Sequence, residues 1–94
     1  MILLVQHRVR DFAGWKPVFD EQGRIVRTKH GATGHRLYQS LDDPNNVVVS
    51  VEFPAEERAR SFLADPALKE EMEQAGVQGE PTVILCEEVD AVSY

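Results

Sequence analysis

The side chains of this sequence that could move a proton or hold an anion sit on short apolar stretches. His7 lies in ILLVQHRV, residues 2–9, where two-residue alternation puts it on one strand face with Leu3, Val5 and Val9. An imidazole that interrupts an apolar row is either a hydrogen-bonded core group or a general acid or base, because its unperturbed pKa lies near working pH. The only tryptophan, Trp15, comes after a strand-to-helix junction, with Phe19 one helical turn further on. Such a pair serves as core or as the wall of a ligand pocket. In HRLYQS, residues 35–40, His35, Leu37 and Gln39 share one strand face and Arg36, Tyr38 and Ser40 the other. Arg36 and Tyr38 offer a cation and a phenol able to hold a carboxylate, phenolate or enolate; the plainer alternative is an edge-strand charge beside a rim aromatic. Glu52 shares a face with Val48 and Ser50, as a substrate contact or as the ion-pair partner of Arg8 or Arg36. The catalytic candidates are thus His7, His35 and Tyr38, and the substrate-contact candidates Trp15, Phe19, Arg36 and Glu52.

Other chemistries lack their residues. His7, His30 and His35 do not stand at HxxxH or HExxH spacing, so no metal centre is expected. Cys86 is the only cysteine, which rules out an intrachain disulfide or a CxxC pair and leaves it the role of a small buried hydrophobe. Arg24, Arg27, Lys29 and His30 cluster where the first helix should end and suit the negative end of its dipole, with anion binding the alternative. There is no GxSxG and no glycine-rich phosphate loop.

The elements that must position these groups are legible in outline. Residues 2–9 form a first strand. Asp11 is the cap after it, and Pro17 argues for a short turn at residues 11–14 ahead of a main helix that starts near Trp15 and stops at Gly31. In that helix Trp15, Val18, Phe19, Gln22, Ile25, Val26 and Lys29 recur at three- and four-residue intervals. Thr33–Leu41 and Asn46–Phe53 flank the turn formers DDPN as a hairpin. Pro54, Glu56 and Glu57 open a helix with Ala59, Phe62 and Leu63 inward. Asp65–Pro66 opens another, with Leu68, Met72 and Ala75 inward and Gly76 as its stop. After a QGEP loop, Thr82–Val89 is the last strand. The order is β-α-β-β-α-β, an α+β arrangement expected to form one domain over residues 1–94.

With 94 residues, 43% hydrophobic and 28% charged, the chain has the composition of a globular protein with one modest core. Its net charge of −6 opposes nucleic-acid binding. MILLV is too short for a signal-peptide core and no apolar run approaches a membrane span, so a cytoplasmic protein without a membrane partner is expected. Strands one, three and four carry apolar groups on both faces, as in Val47–Val49 and Val83–Cys86. A second apolar face in so short a chain predicts a homodimer that packs sheet against sheet.

Three segments carry a resemblance: HRVRDFAGWKPVFD near the start, HRLYQSLDDPNNVVVSVEF in the middle, and LKEEMEQAGVQGEP before the last strand. Together with the element order they resemble the dimeric α+β barrel superfamily, which includes antibiotic-biosynthesis monooxygenases, small polyketide cyclases and muconolactone isomerase-like proteins. The pattern D-F/Y-x-x-W-K-x-x-F-D of small cyclase-like members is matched by Asp11, Phe12, Trp15, Lys16, Phe19 and Asp20. The resemblance implies ferredoxin-like subunits with a four-stranded antiparallel sheet, paired through the sheet, each with a ligand cavity between sheet and helices. It also implies cofactor-independent oxygenation, cyclisation or isomerisation of a small aromatic or polyketide-like molecule. A non-catalytic ligand-binding dimer is the alternative, and haem binding a third possibility, since some relatives hold haem. Under the catalytic alternative His7 moves the proton, with His35 as substitute base, Trp15 walls the pocket, and Arg36 or Tyr38 stabilises negative charge.

Overall fold

Strand β1, Ile2–Val9, alternates between buried positions and half-buried or exposed ones, with Leu3, Val5, His7 and Val9 turned inward. The computed structural model describes residues 1–94, and β1 is central in it. The other elements are α1 (Phe12–Val18), a π-helical turn (Phe19–Gly23), α2 (Arg24–Lys29), β2 (Gly34–Gln39), β3 (Asn46–Glu52), α3 (Glu56–Ala64), α4 (Pro66–Ala75) and β4 (Val77–Cys86). The sheet runs β2-β3-β1-β4 with every neighbouring pair antiparallel, the ferredoxin-like arrangement expected from the order of elements. Helices cover one face. There Leu3, Val5 and Val9 of β1 and Val47, Val49 and Val51 of β3 meet Trp15, Phe19, Val26, Phe62 and Leu68. No helix is long and apolar enough to cross a membrane.

Three expectations about element limits are corrected. The first helix starts at Phe12, not near Trp15, and runs through Pro17. Asp11 caps it by accepting a hydrogen bond from the Gly14 amide at 3.0 Å, and Asn45 Oδ1 of the hairpin takes the Phe12 amide at 3.0 Å. With its first turn anchored at both points, the helix tolerates the N–H that Pro17 lacks.

The buried stripe of this helix also differs. Ile25 is 68% exposed and Gln22 and Lys29 are exposed, whereas Gly23 and Arg27 are buried. A regular helix of ~3.6 residues per turn would carry Arg27 about a third of a turn away from the face that holds Trp15. The wider π turn at Phe19–Gly23 takes up that difference and keeps Trp15, Phe19, Gly23 and Arg27 directed inward.

The last strand begins at Val77, five residues before the expected Thr82, and ends at Cys86. Gln6 pairs with Thr82 but Arg8 pairs with Gln78, so a single residue of β1, His7, faces the three residues Gly79–Pro81. The expected QGEP loop is mostly a bulge within the strand. Gly79 at φ +70° supplies its turn, and a bulge is where a proline without an amide proton can sit in a sheet.

Elsewhere the caps and stops stand where the sequence puts them. Asp65 caps α4 through the Ala67 amide at 2.9 Å, and Gly76 ends that helix at φ +86°. Asp65 also binds His30 Nε2 at 2.7 Å and Lys29 Nζ at 2.9 Å, tying the end of α2 to the α3–α4 corner. The His30 contact foremost, then the Ala67 amide, holds its carboxyl well below the usual carboxylate range.

Candidate functional site

A cavity of about 30 Å³ lies between β1, β3 and the helices. That is room for one or two water-sized molecules, not for an aromatic ring. Its apolar wall is Val5, Val49, Val51, Phe62 and Leu68, and its polar members are His7, Arg27 and Glu71. All three polar side chains are buried, at 5–7% exposure, which in so small a protein requires an explanation.

His7 reaches the cavity from β1, and its Nδ1 is fully buried without a hydrogen-bond partner. Such an atom costs about 1–3 kcal/mol of desolvation that nothing in the fold returns. Burial, the leading cause, lowers the His7 pKa, opposed by its own backbone, so the ring is neutral at physiological pH. The Trp15 ring meets it edge-on, with centroids 5.6 Å apart. Phe19 stacks on Trp15 at 4.6 Å, and His35 meets the edge of Phe19 at 5.1 Å. One aromatic row therefore leads from the cavity to β2.

Arg27 and Glu71 have no place among the sequence candidates. The sequence groups Arg27 with the cations at the helix end, and only the π turn brings it inside. Its guanidinium lies 3.9 Å over the Phe19 ring and donates through Nη2 to the Phe19 carbonyl at 3.1 Å. Burial lowers its pKa, with Glu71 opposing. Glu71 comes from α4, where Leu68 and Ala75 flank it at helical intervals on the buried stripe; that interruption of an apolar stripe is the signal available in the sequence. Burial pushes its carboxyl up to about 7, against the pull of Arg27. Gly23 makes room for both: a Cβ there would stand 2.8 Å from Arg27 Nη1 and 2.9 Å from Glu71 Oε1. A neutral imidazole and a carboxyl that titrates near neutrality on one small cavity form a pair suited to taking and returning a proton.

The other candidates lie elsewhere. His35 is on the helix-side face of β2, exposed at the rim of a second cleft, and its pKa is lowered by partial burial first and by Arg27 next. Arg36 and Tyr38 face the opposite side of the sheet, level with Ser50 and Val48, and Glu52 lies on that side too. The sheet separates them from His7 and Trp15, so within one chain Arg36 and Tyr38 do not reach the cavity. Glu52 also forms no ion pair with Arg8 or Arg36: Glu52 lies opposite Ile2, whereas Arg8 stands at the other end of β1, opposite Asn46, and bonds Asp43 at 2.6 Å. The three histidines stand apart, and no group of three or more His, Cys, Asp or Glu side chains is placed to hold a metal ion.

No family model and no curated protein matches the sequence. Solved structures do share the fold. An antibiotic biosynthesis monooxygenase superposes with a TM-score of 0.73 at 18% identity, over 96% of this chain and 100% of its own. SnoaB, a cofactor-independent oxygenase from Streptomyces nogalater, gives 0.72 at 18% identity, over 94% and 93%. A protein from Bordetella bronchiseptica with a provisional description as an antibiotic biosynthesis monooxygenase gives 0.78 at 14% identity, over 94% and 95%. The chain has the ferredoxin-like fold of these proteins. At such identities the likeness is one of architecture, and chemistry has to be argued from the cavity.

Proposed function

We propose that the chain is a cofactor-independent enzyme that removes a proton from a small, electron-rich aromatic or polyketide-like substrate, as the first step of an oxygenation, cyclisation or isomerisation. The observation that carries this is the His7 Nδ1 left without a partner on the same cavity as Glu71. A fold keeps an unsatisfied buried imidazole beside a carboxyl of raised pKa at a cost in stability, and sites of proton transfer are where such costs recur. Glu71 in its ionised fraction, or neutral His7, takes the proton from an activated CH2 or a phenol. Arg27 supplies positive charge beside the developing anion, the part that the sequence assigns to Arg36 or Tyr38. For oxygenation the balance closes with dioxygen alone: the CH2 loses two hydrogens, one oxygen atom becomes the new carbonyl oxygen, and the other leaves as water. A cavity of about 30 Å³ suits dioxygen, and a ring gains entry only if a wall side chain moves. Half-buried, unbranched Met72 is the most easily displaced.

Oxygen uptake over a panel of polycyclic phenols and 1,3-diketones tests this. Wild type should consume dioxygen with at least one of them, and His7→Ala should lower turnover by about 10²–10⁴-fold. Equal turnover by His7→Ala and wild type would sink the proposal. The small cavity volume favours a second reading, binding without turnover, which predicts no uptake with any substrate of the panel.

We also propose a homodimer through the open face of the sheet. Its support is the apolar set Ile2, Leu4, Val48, Tyr38, Ile84 and Cys86 on that face, with Ile84 54% and Tyr38 52% exposed. Sedimentation at micromolar concentration should give twice the chain mass, and Ile84→Lys should give a monomer. A monomeric wild type would overturn it.

A further inference from the structure

We propose that the cleft between α2 and the start of β2 is an anion-binding subsite that takes the carboxylate of an aromatic acid, whose ring lies against the exposed His35 ring at the cleft's rim. The cleft measures about 360 Å³ and is bordered by Arg24, Arg27, Thr28, Thr33, Gly34 and His35, with no carboxylate among its lining residues. Arg27 borders both the cleft and the cavity.

The unmet demand of Arg27 comes first. A guanidinium has five N–H donors and cannot shed its charge in water-accessible pH ranges, so a buried one requires acceptors and a counter-charge. Here only Nη2 has an acceptor in the protein, the Phe19 carbonyl, no ion pair forms, and the other guanidinium nitrogens are not sealed from solvent. Glu71 and Asp20 act on it through space, but neither forms an ion pair with it. Glu71 holds its proton in good part near neutrality, and Asp20 is bound by Lys16. Arg24, exposed on the same cleft, has neither an ion pair nor a side-chain hydrogen bond. A chain of net charge −6 thus gathers two unpaired arginines at one concave site, where like charges repel unless an anion joins them.

The hydroxyls contribute less. Thr28 Oγ1 donates to the Arg24 carbonyl at 2.8 Å and Thr33 Oγ1 lies 3.5 Å from the Glu52 carbonyl, so recognition falls to the charged groups. A carboxylate matches the planar fork of a guanidinium, and the exposed His35 ring offers an aromatic surface in the cleft, backed by the buried Phe19 and Trp15 toward the cavity. That the bound acid is also the reacting substrate rests on the catalytic proposal above; the anion site itself does not.

An NMR titration of the isotopically labelled full chain tests it, with benzoate, benzyl alcohol and inorganic phosphate as probes. The Trp15 indole N–H reports the cavity side and the His35 ring the cleft. Benzoate should shift both signals and raise the His35 titration midpoint, because an anion joins the Arg27, Asp20, Lys16 and Arg24 charges that already act on that ring. Phosphate should displace benzoate, and benzyl alcohol should move neither signal in the same concentration range. Arg24→Gln, a surface change that leaves the core intact, should weaken benzoate binding about tenfold, the loss of one charge-assisted contact. Equal binding of benzyl alcohol and benzoate, or no effect of Arg24→Gln, would overturn the subsite. Binding of phosphate without any benzoate response at Trp15 would overturn the aromatic acid as its occupant. Benzoate binding without oxygen uptake sinks only the catalytic proposal; uptake with neutral phenols and no benzoate binding sinks only this one.

Discussion

Glu71→Gln is expected to stabilise the fold at pH 8 by about 2–3 kcal/mol, to leave it unchanged near pH 4, and to reduce turnover. The sign depends on where the proton sits. In the unfolded chain Glu71 ionises with its ordinary pKa of 4.5, whereas in the fold burial pushes it up to about 7. Below the lower value both states are protonated and the carboxyl behaves as an uncharged isostere of the amide. Between the two values the unfolded chain releases its proton while the fold retains it, so stability falls as pH rises, and above pH 7 the full loss is present. Glutamine has no proton to release and escapes that loss. If Glu71 is the base, its removal should cost about 10²–10⁴-fold in rate and abolish the rise of activity through pH 7. A gain in stability coupled to a loss of activity is the mark of a group held for function. Urea denaturation at the two pH values checks the first half. A variant less stable than wild type at pH 8 would mean that Glu71 is instead the ionised structural partner of Arg27, and the proton-transfer proposal would lose its carboxyl.

Trp15→Ala should cost about 3–5 kcal/mol, out of a total near 5–15 kcal/mol for a domain of this size, and so bring the protein close to unfolding. Trp15 is 1% exposed, stacks on Phe19, touches Phe12 and meets the edge of His7. Removing it deletes the largest fully buried side chain and opens the wall of the cavity at once. The melting temperature should fall by about 15 °C or more. Trp15→Phe, which keeps a ring against Phe19, should lose much less. A loss under about 1 kcal/mol for Trp15→Ala would identify Trp15 as a ligand platform that the fold does not need. The geometry assigns it both tasks: the cavity wall and the core are the same ring.

The sequence by itself determined the order of elements, the strand carrying His7, the caps at Asp11 and Asp65, the stops at Gly31 and Gly76, and the parity that puts His7 on one strand face with Leu3, Val5 and Val9. These are local matters, decided by alternation, by side chains that bond the nearest amides, and by glycines at φ +85° and +86°. Tertiary structure decided the rest. Helical periodicity assumes a constant turn, so the π turn that rotates Arg27 inward and Ile25 outward was invisible to it. Strand parity showed that Arg36 and Tyr38 share a face, but which face meets the helices depends on the pairing with β3. The QGEP segment reads as a loop because proline and glycine mark loops, and only the presence of β1 beside it made a bulge of it. Glu71 became a candidate for the same reason that Arg36, Tyr38 and Glu52 left the cavity. A charged residue's chemistry is set by what surrounds it, and burial, which raises a carboxyl to about 7, is a property of the assembled fold and not of any segment.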